Sequence, residues 1–394
     1  MSDLKTNIDG TIISDFIKEN SIDSTFLNSL KNLIINEDIF NKNNHEAKTE
    51  ILDAIKVIES RNGNLDREIN KLSKNKKFLF SSQEIFWLKK NDKKYWAEYL
   101  LNRYSFKVLP QKKIVNDFPP YILIEPTSVC NIRCIMCFQI DKSFSSNKKF
   151  LGFIDIDFFR SLIQQCEDNN CHSITLASRG EPTLHKKFDE ITKIIKDSKI
   201  LDTKINTNAT VLDEKKIELI LDAGFNEVIF SVDAGTKKTY EEIRVKGKFD
   251  KVVKNIKLFN EIREKNFKNS KTLTRIAGVK VRDDQDIKQM NEFWSKIVDE
   301  VSIKRACYRW DTYNNPINEI KEPCLNLWSR MYIWYDGKVN PCDTDYKSYL
   351  SVGNAKEKSI KELWNSEKYL KLRNLHIKKH RGKIEPCDRC DFTN

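Results

Sequence analysis

Three of the chain's ten cysteines, Cys130, Cys134 and Cys137, lie close together in a C-x3-C-x2-C arrangement directly after a short apolar segment. Three thiolates on one loop can ligate three irons of a cubane iron–sulfur cluster and are too few for the fourth. By analogy with catalytic zinc sites, an open coordination position is where a substrate or cofactor binds. The spacing therefore predicts a reactive iron–sulfur centre, and a zinc ion closed by a fourth ligand from elsewhere in the chain is the alternative.

Four further cysteines form a second set near the C-terminus: Cys324, Cys342, Cys387 and Cys390. Cys342 ends a G-x4-C motif, and the last two cysteines form a C-x2-C motif. Four thiolates suit a fully ligated iron–sulfur cluster or a structural zinc site. This set therefore predicts a metal centre of structural or electron-transfer type.

The composition favours a folded chain that works in the cytoplasm. It is 39% apolar and 32% charged, and no apolar run reaches the roughly 18 residues of a membrane span. The N-terminus does not resemble a secretory signal, so we expect a reducing compartment in which clustered cysteines bind metals. Lys and Arg exceed Asp and Glu by 69 to 57, but the lysines are scattered, which argues against a nucleic-acid partner.

The elements that position the first cysteine set alternate between strands and helices. Strands are predicted over 121–126, 172–178, 203–209, 226–234, 274–281 and 301–306. Helices are predicted over 157–170, 188–198, 213–224, 250–265 and 287–300. This alternation predicts an α/β fold with a partial (βα)6 TIM-type barrel, whose site lies at the C-terminal ends of the strands.

Two segments flank this predicted core, which we place at 118–310. Residues 1–110 contain two glycines and no proline before Pro110, which predicts a helical appendage that serves packing or dimerisation. Residues 320–394 contain the second cysteine set, a hairpin predicted over 331–342 and a helix over 358–377. The chain is therefore expected to have three parts.

The segment CNIRCIMC at 130–137, placed after a strand and before a βα series, resembles the radical S-adenosylmethionine (SAM) enzymes. The resemblance implies that the fourth iron of a [4Fe-4S] cluster chelates SAM. It further implies that an electron, from a donor such as flavodoxin or ferredoxin, cleaves SAM to a 5′-deoxyadenosyl radical. This radical would abstract a hydrogen atom from the substrate. Met136 occupies a position whose backbone lies along the adenine in that family, with ordinary core packing as the alternative.

The resemblance extends to further motifs at the ends of successive strands. Residues 177–185, ASRGEPTLH, resemble the family's GGEP motif, with Arg179 in place of the usual first glycine. Further SAM contacts are implied for Gly180, Glu181, Pro182, Asn208, Ser231, Asp233 and Arg244. Residues 276–279, IAGV, match the family's apolar segment on the adenine side.

The C-terminal segment resembles the SPASM domain, an extension of many radical SAM enzymes that carries auxiliary iron–sulfur clusters. The full domain has about seven cysteines for two clusters, and four are present here. The resemblance therefore implies one auxiliary [4Fe-4S] cluster, with a structural zinc as the alternative. The cluster would accept an electron from a substrate radical or hold the domain over the barrel mouth.

Cys307 and Tyr308 directly follow the last predicted strand. They are candidate hydrogen-atom donors to a substrate radical, as an epimerase requires. A packed strand-end cysteine is the alternative. The expected function is oxidation or epimerisation of a carbohydrate or other small metabolite by a SAM-derived radical. Two alternatives remain: modification of a peptide by the same chemistry, and a zinc-bearing nucleic-acid-binding protein.

Overall fold

A computed structural model describes the backbone of residues 12–17 and the residues 22–42, 44–60, 77–306 and 311–392. The described strands are β1 Ile12–Ile17, β2 Ile122–Ile124, β3 Arg133–Cys134, β4 Ser173–Leu176, β5 Asp202–Thr207, β6 Glu227–Ser231, β7 Arg244–Val245, β8 Leu273–Lys280, β9 Glu300–Arg305, β10 Met331–Ile333, β11 Lys338–Asn340 and β12 Gly353–Asn354. Ten of them form one sheet in the order β1-β9-β8-β6-β5-β4-β2-β10-β11-β12, and β3 pairs with β7.

The six strands predicted from the sequence are β2, β4, β5, β6, β8 and β9, and they pair side by side in parallel. Their order along the chain is their order in the sheet, which confirms the partial barrel. The helices that cover its outer face are Ile156–Asp168, Phe188–Asp197, Glu214–Asp222, Phe249–Asn266 and Ile287–Trp294, and a further short helix, Lys237–Ile243, follows β6. The β-to-α connections therefore gather at the C-terminal ends of the strands.

Side chains alternate between the two faces of the barrel sheet. The outward residues, such as Ile205 and Phe230, are buried against the helices in the main hydrophobic core. The inward residues Asn206, Ser231 and Ala277 are only partly buried. Since neighbouring residues of a strand point to opposite faces, this pattern describes an open barrel interior that solvent reaches.

The N-terminal region is mostly helical in its described part, as predicted, with helices Ser24–Asn36, Asp38–Lys42, His45–Glu59, Ser82–Lys90, Trp96–Lys107 and Leu109–Lys112. The expectation is wrong for Ile12–Ile17, which form β1 and pair antiparallel with β9. The edge of a parallel sheet presents unpaired backbone N–H and C=O groups, and the backbone of an added strand pairs with them. The isoleucines of this segment favour the strand conformation. Helix propensity gave no indication of this pairing.

The N-terminal helices pack at the end of the barrel opposite the predicted site. Trp87 Nε1 donates to Leu201 O at 2.8 Å, and Asn102 Nδ2 donates to Pro120 O at 2.9 Å. The hydroxyl of Ser173, the first residue of β4, donates to Asn102 Oδ1 at 2.7 Å. All three barrel partners precede or begin parallel strands, so these helices close the N-terminal end of the barrel.

A buried ion cluster joins two of these helices. Glu84 is 1% exposed, and its carboxylate lies 2.9 Å from both Arg103 Nε and Lys107 Nζ. Burial by itself would raise the pKa of Glu84, but the two cations outweigh it and lower that pKa to about 2. The ion cluster therefore stabilises the ionised form of Glu84.

Replacing Glu84 by Gln should lower the free energy of unfolding at pH 7 by about 3 kcal/mol or more, since two buried cations lose their anion. The carboxyl titrates near 4.5 when unfolded, so its stabilisation is complete above that pH and is lost as the pH falls towards 2. Urea unfolding of wild type and variant between pH 7 and pH 3 measures this converging difference. Glu98→Gln, on an exposed site of the neighbouring helix, is the control, and an equal loss there would contradict the assignment.

The C-terminal part contains the predicted hairpin, formed by β10 and β11, and β10 pairs in parallel with β2. This part therefore extends the barrel sheet. The helix predicted over 358–377 is two helices, Ile360–Trp364 and Glu367–Ile377, because Ser366 caps the start of the second. The boundaries 118–310 and 320–394 remain a proposal. In the described residues no helix combines the length and apolarity that crossing a membrane requires.

Candidate active site

The first cysteine set lies in the loop that follows β2, at the C-terminal end of the barrel. Cys134 belongs to β3 and pairs with Arg244 of β7. Burial raises the pKa of Cys130 to about 12, and it also raises the pKa values of Cys134 and Cys137. The negative charge of a neighbouring cysteine thiolate raises the pKa values of Cys130 and Cys137 further. The three sulfurs are therefore close enough to act on one another, and binding iron would release their protons.

The donor set at this loop fits an iron–sulfur cluster with an open corner. It contains three thiols, and the Asn208 side-chain amide lies 3.9 Å from the Cys130 sulfur as a hydrogen-bond donor. The same amide donates to Asn131 Oδ1 at 3.0 Å, which fixes its orientation. An amide N–H stabilises a thiolate and does not ligate iron, so this loop would offer three ligands to a cluster.

Glu181 lies beside this loop, just after β4, and is 2% exposed. Its Oε1 accepts hydrogen bonds from the Thr183 and Thr207 hydroxyls at 2.6 and 2.7 Å, and its Oε2 accepts one from the Asn208 amide nitrogen at 2.7 Å. Burial raises the pKa of Glu181, and these donors oppose the shift. Since a carboxylate oxygen can accept two hydrogen bonds, Oε2 retains capacity for an ammonium group.

Gly180 brings the Glu181 loop against the chain that leads to Cys130. A Cβ atom at this position would lie 2.2 Å from Thr127 O and 2.6 Å from Val129 O. The Glu181 amide nitrogen also donates to Val129 O at 2.9 Å. Glycine is therefore required here by close backbone approach, and Pro182 begins the short 3-10 helix Pro182–Leu184 that follows.

Arg244 and Asp233 form a buried ion pair, with Arg244 Nε 2.7 Å from Asp233 Oδ2. The other carboxylate oxygen of Asp233 accepts from the Val279 amide at 2.9 Å. Asp233 therefore holds Arg244 beside Cys134, and a direct SAM contact by either residue stays a prediction. Ser231, at the end of β6, is half-buried on the inward face.

An apolar patch completes the site beside the cysteine loop. Met136 and Val279 are partly buried and pack on a small cluster that contains Ile243 and Ala306. The structure thus brings Met136 next to the segment 276–279, which the resemblance assigns to the adenine side. Cys307 and Tyr308 lie outside the described residues, so their proposed role stays a prediction.

The second cysteine set is also brought together by the fold. Burial raises the pKa of Cys342 well above its usual value, and the thiols of Cys387, Cys390 and Cys324 raise it further. Burial followed by the Cys390 charge raises the pKa of Cys324 to about 11. The thiols of Cys342 and Cys387 are each influenced by other cysteines of this set, and four thiols are the number that a fully ligated cluster requires.

Two residues that the sequence did not single out brace this second set. Arg381 is 1% exposed and donates to the carbonyls of Cys390 at 2.6 Å and Cys387 at 3.2 Å. His376 Nδ1 accepts from the Cys324 amide at 3.1 Å. The sequence contained no spacing signal for either contact, because each joins residues that only the folded loops bring together.

Two protein-family models match the chain: the radical SAM superfamily over residues 124–293, and the SPASM iron–sulfur cluster-binding domain over residues 324–391. A relative from Pyrococcus furiosus, a tungsten-containing aldehyde ferredoxin oxidoreductase cofactor-modifying protein, is 25% identical over 69% of this chain and 89% of its own length. The S-adenosyl-L-methionine-dependent 2-deoxy-scyllo-inosamine dehydrogenase of Niallia circulans is 24% identical over 68% of this chain and 92% of its own length.

Among solved structures, Streptococcus suis SuiB bound to the precursor peptide SuiA has the same fold, with a TM-score of 0.50 and 18% identity. The match covers 90% of this chain and 84% of that one. The matched ranges of the two family models contain both cysteine sets, Glu181 and Arg244. This chain therefore belongs to the radical SAM superfamily and carries a C-terminal SPASM iron–sulfur cluster-binding domain.

Proposed function

We propose that this radical SAM enzyme oxidises a small polar metabolite, such as a carbohydrate or a related polyol. The observation that carries the proposal is the open barrel interior, where Asn206 and Ser231 are partly buried on the inward face near the C-terminal ends of β5 and β6. A wall that carries amide and hydroxyl groups suits a substrate rich in hydroxyl or amino groups. The similarity to a dehydrogenase whose name gives an inosamine substrate supports the same class.

In this proposal each group of residues at the barrel mouth has a defined task. Cys130, Cys134 and Cys137 hold a [4Fe-4S] cluster, and Glu181 and Arg244 bind the amino and carboxylate groups of SAM. When bound, cluster and SAM supply the 5′-deoxyadenosyl radical that removes a hydrogen atom from the substrate. Gly180 keeps the Glu181 loop against the cysteine loop, and Met136 with Val279 provides an apolar surface for adenine.

The second cysteine set gives the proposal its direction towards oxidation. Cys324, Cys342, Cys387 and Cys390 would hold one auxiliary [4Fe-4S] cluster, which supplies an electron acceptor when bound. Arg381 places a buried positive charge against two of these ligands, which favours a negatively charged group there. The electron donor is proposed to be a flavodoxin or ferredoxin, and the compartment the cytoplasm.

Replacing Glu181 by Gln should weaken SAM binding by about one to two orders of magnitude, because a neutral amide loses the charge-assisted bond to an ammonium group. Calorimetric titration of the anaerobically reconstituted protein with SAM measures the dissociation constant. Glu167→Gln, on the outer helix Ile156–Asp168, is the control. Unchanged SAM affinity in Glu181→Gln would show that Glu181 does not bind the ammonium group.

An anaerobic assay with SAM, a strong reductant and candidate substrates tests the function. We expect 5′-deoxyadenosine together with a substrate oxidised by two electrons when polyols or aminocyclitols are supplied. If only a peptide supports turnover, the peptide alternative replaces the proposal. Absence of 5′-deoxyadenosine with every substrate class would overturn the radical assignment for this chain.

Separate observations bear on each of three alternatives to the proposed oxidation. A peptide substrate is favoured by the fold match to SuiB, a structure that contains a precursor peptide. Against it, the described N-terminal helices pack at the end of the barrel opposite the site. Epimerisation is tested by Cys307→Ala, which should abolish product if Cys307 returns the hydrogen atom and leave turnover intact if the enzyme oxidises. The zinc-bearing nucleic-acid-binding alternative is set aside by the family assignment.

A further inference from the structure

We propose that Arg179 is a positioning residue through which the SPASM domain controls the affinity of the barrel for SAM. Arg179 stands where the family's motif has its first glycine, and it is 3% exposed. The inference rests on the proposed SAM contact of Glu181, two residues further on. It assigns a task to the one position where this motif departs from the family pattern.

The guanidinium of Arg179 is held on the barrel side by Glu125, which follows β2. Arg179 Nε and Nη2 each lie 2.6 Å from a different oxygen of the Glu125 carboxylate, which is 0% exposed. The backbone amide of Arg179 also donates to Glu125 Oε2 at 3.2 Å. A bidentate pair with an added backbone bond fixes both the side chain and the loop that carries it.

The same guanidinium is held on the other side by the SPASM domain. Arg179 Nη1 donates to the Tyr346 carbonyl at 3.0 Å, and the guanidinium carbon lies 4.4 Å from the ring centroid of Trp334. The Tyr335 amide completes the contact by donating to Glu125 Oε1 at 3.3 Å. The ion pair is therefore enclosed between the barrel and the hairpin of β10 and β11.

The backbone of Arg179 extends this connection to the cysteine loop. Gln139, two residues after Cys137, donates its side-chain amide to the carbonyls of Arg179 and Ser128. Arg179 thus joins the cysteine loop, the Glu181 loop and the SPASM domain. A displacement of Trp334 or Tyr346 would be passed through the guanidinium to Gly180, which has no free space against residues 127–129.

The test measures SAM affinity in variants on the two sides of this connection. Arg179→Lys keeps the charge but cannot bind both Glu125 oxygens and the Tyr346 carbonyl together. Trp334→Leu removes the stacking partner and leaves Arg179 and Glu125 in place. Each should raise the SAM dissociation constant about tenfold, because the loop that carries Glu181 loses its fixed position. The SAM dissociation constant of the double variant should be about that of the weaker-binding single variant, since both substitutions act through one contact.

Trp364→Leu is the matched control. Trp364 is also a fully buried SPASM-domain tryptophan, and it stacks on Arg373 at 4.1 Å, away from the Glu181 loop. We expect this variant to lose about as much thermal stability as Trp334→Leu, while its SAM affinity stays within about twofold of wild type. Iron content, measured in parallel, confirms that each variant keeps both cysteine sets loaded.

Unchanged SAM affinity in both Arg179→Lys and Trp334→Leu would overturn the inference, as would an equal loss in Trp364→Leu. Effects of Arg179→Lys and Trp334→Leu that add in the double variant would also overturn it, because they would then be independent. Failure of the wild-type protein to bind SAM would instead overturn the proposed function, so the two failures are distinguishable.

Discussion

Replacing Cys134 by Ala should lower the iron content of the anaerobically reconstituted protein from about eight to about four per chain. The formation of 5′-deoxyadenosine should fall to background in the same variant. The reason is that Cys134 belongs to a short strand paired with Arg244, and its thiol lies among the buried groups of the site. Two remaining cysteines on this loop are too few to hold a cubane cluster with one open corner.

The control for this experiment is Cys166→Ala. Cys166 is 0% exposed within the helix Ile156–Asp168 and belongs to the main hydrophobic core, away from both cysteine sets. The Cys166→Ala variant should keep full iron content and full SAM cleavage, with a small loss of stability. If Cys134→Ala retained eight irons, or if the wild-type protein contained zinc in place of iron, the cluster assignment of this loop would be wrong.

Replacing Cys342 by Ala should also remove about four irons, but with the opposite effect on SAM. Reductive cleavage to 5′-deoxyadenosine should continue, because Glu181, Arg244 and the first cysteine set are untouched. The oxidised product should fall to background, since the substrate radical then lacks its electron acceptor. Iron analysis, 5′-deoxyadenosine and product are measured on one preparation.

The comparison of these two variants separates the two proposed roles of the SPASM domain. If Cys342→Ala still forms oxidised product at the wild-type rate, the second cysteine set holds the domain and does not accept electrons. Cys171→Ala, which changes another buried cysteine outside both sets, controls for general loss of stability. A Cys342→Ala protein that loses all eight irons would show that the two sites do not load independently.

Much of the barrel and both cysteine sets could be predicted because their signals are local. Cys130, Cys134 and Cys137 share one loop, and a loop of that length keeps its thiols together wherever it lies. The parallel strands follow from the alternation of apolar segments with amphipathic helices, because each βαβ unit has a fixed handedness and places successive strands side by side. Glu181 and Asn208 follow neighbouring strands and therefore meet at one edge.

The contacts that could not be predicted join segments far apart in the chain. The pairing of β1 with β9 depends on which edge of the sheet is left open, and a helix-rich composition does not reveal that edge. The position of the N-terminal helices depends on polar bonds such as Trp87 to Leu201, which any of several surfaces could have offered. By contrast, Asp233 and Arg244 are only 11 residues apart, but no spacing rule indicates that they pair across the helix Lys237–Ile243.

The amino-acid sequence by itself determined the spacing of the two cysteine sets and the order of the parallel strands, because short spacings and strand periodicity encode them. The tertiary structure alone decided that Arg179 turns away from its own loop to bind Glu125 and stack on Trp334. A buried guanidinium must find an anion and a surface for its face, and those partners come from elements that meet only after folding.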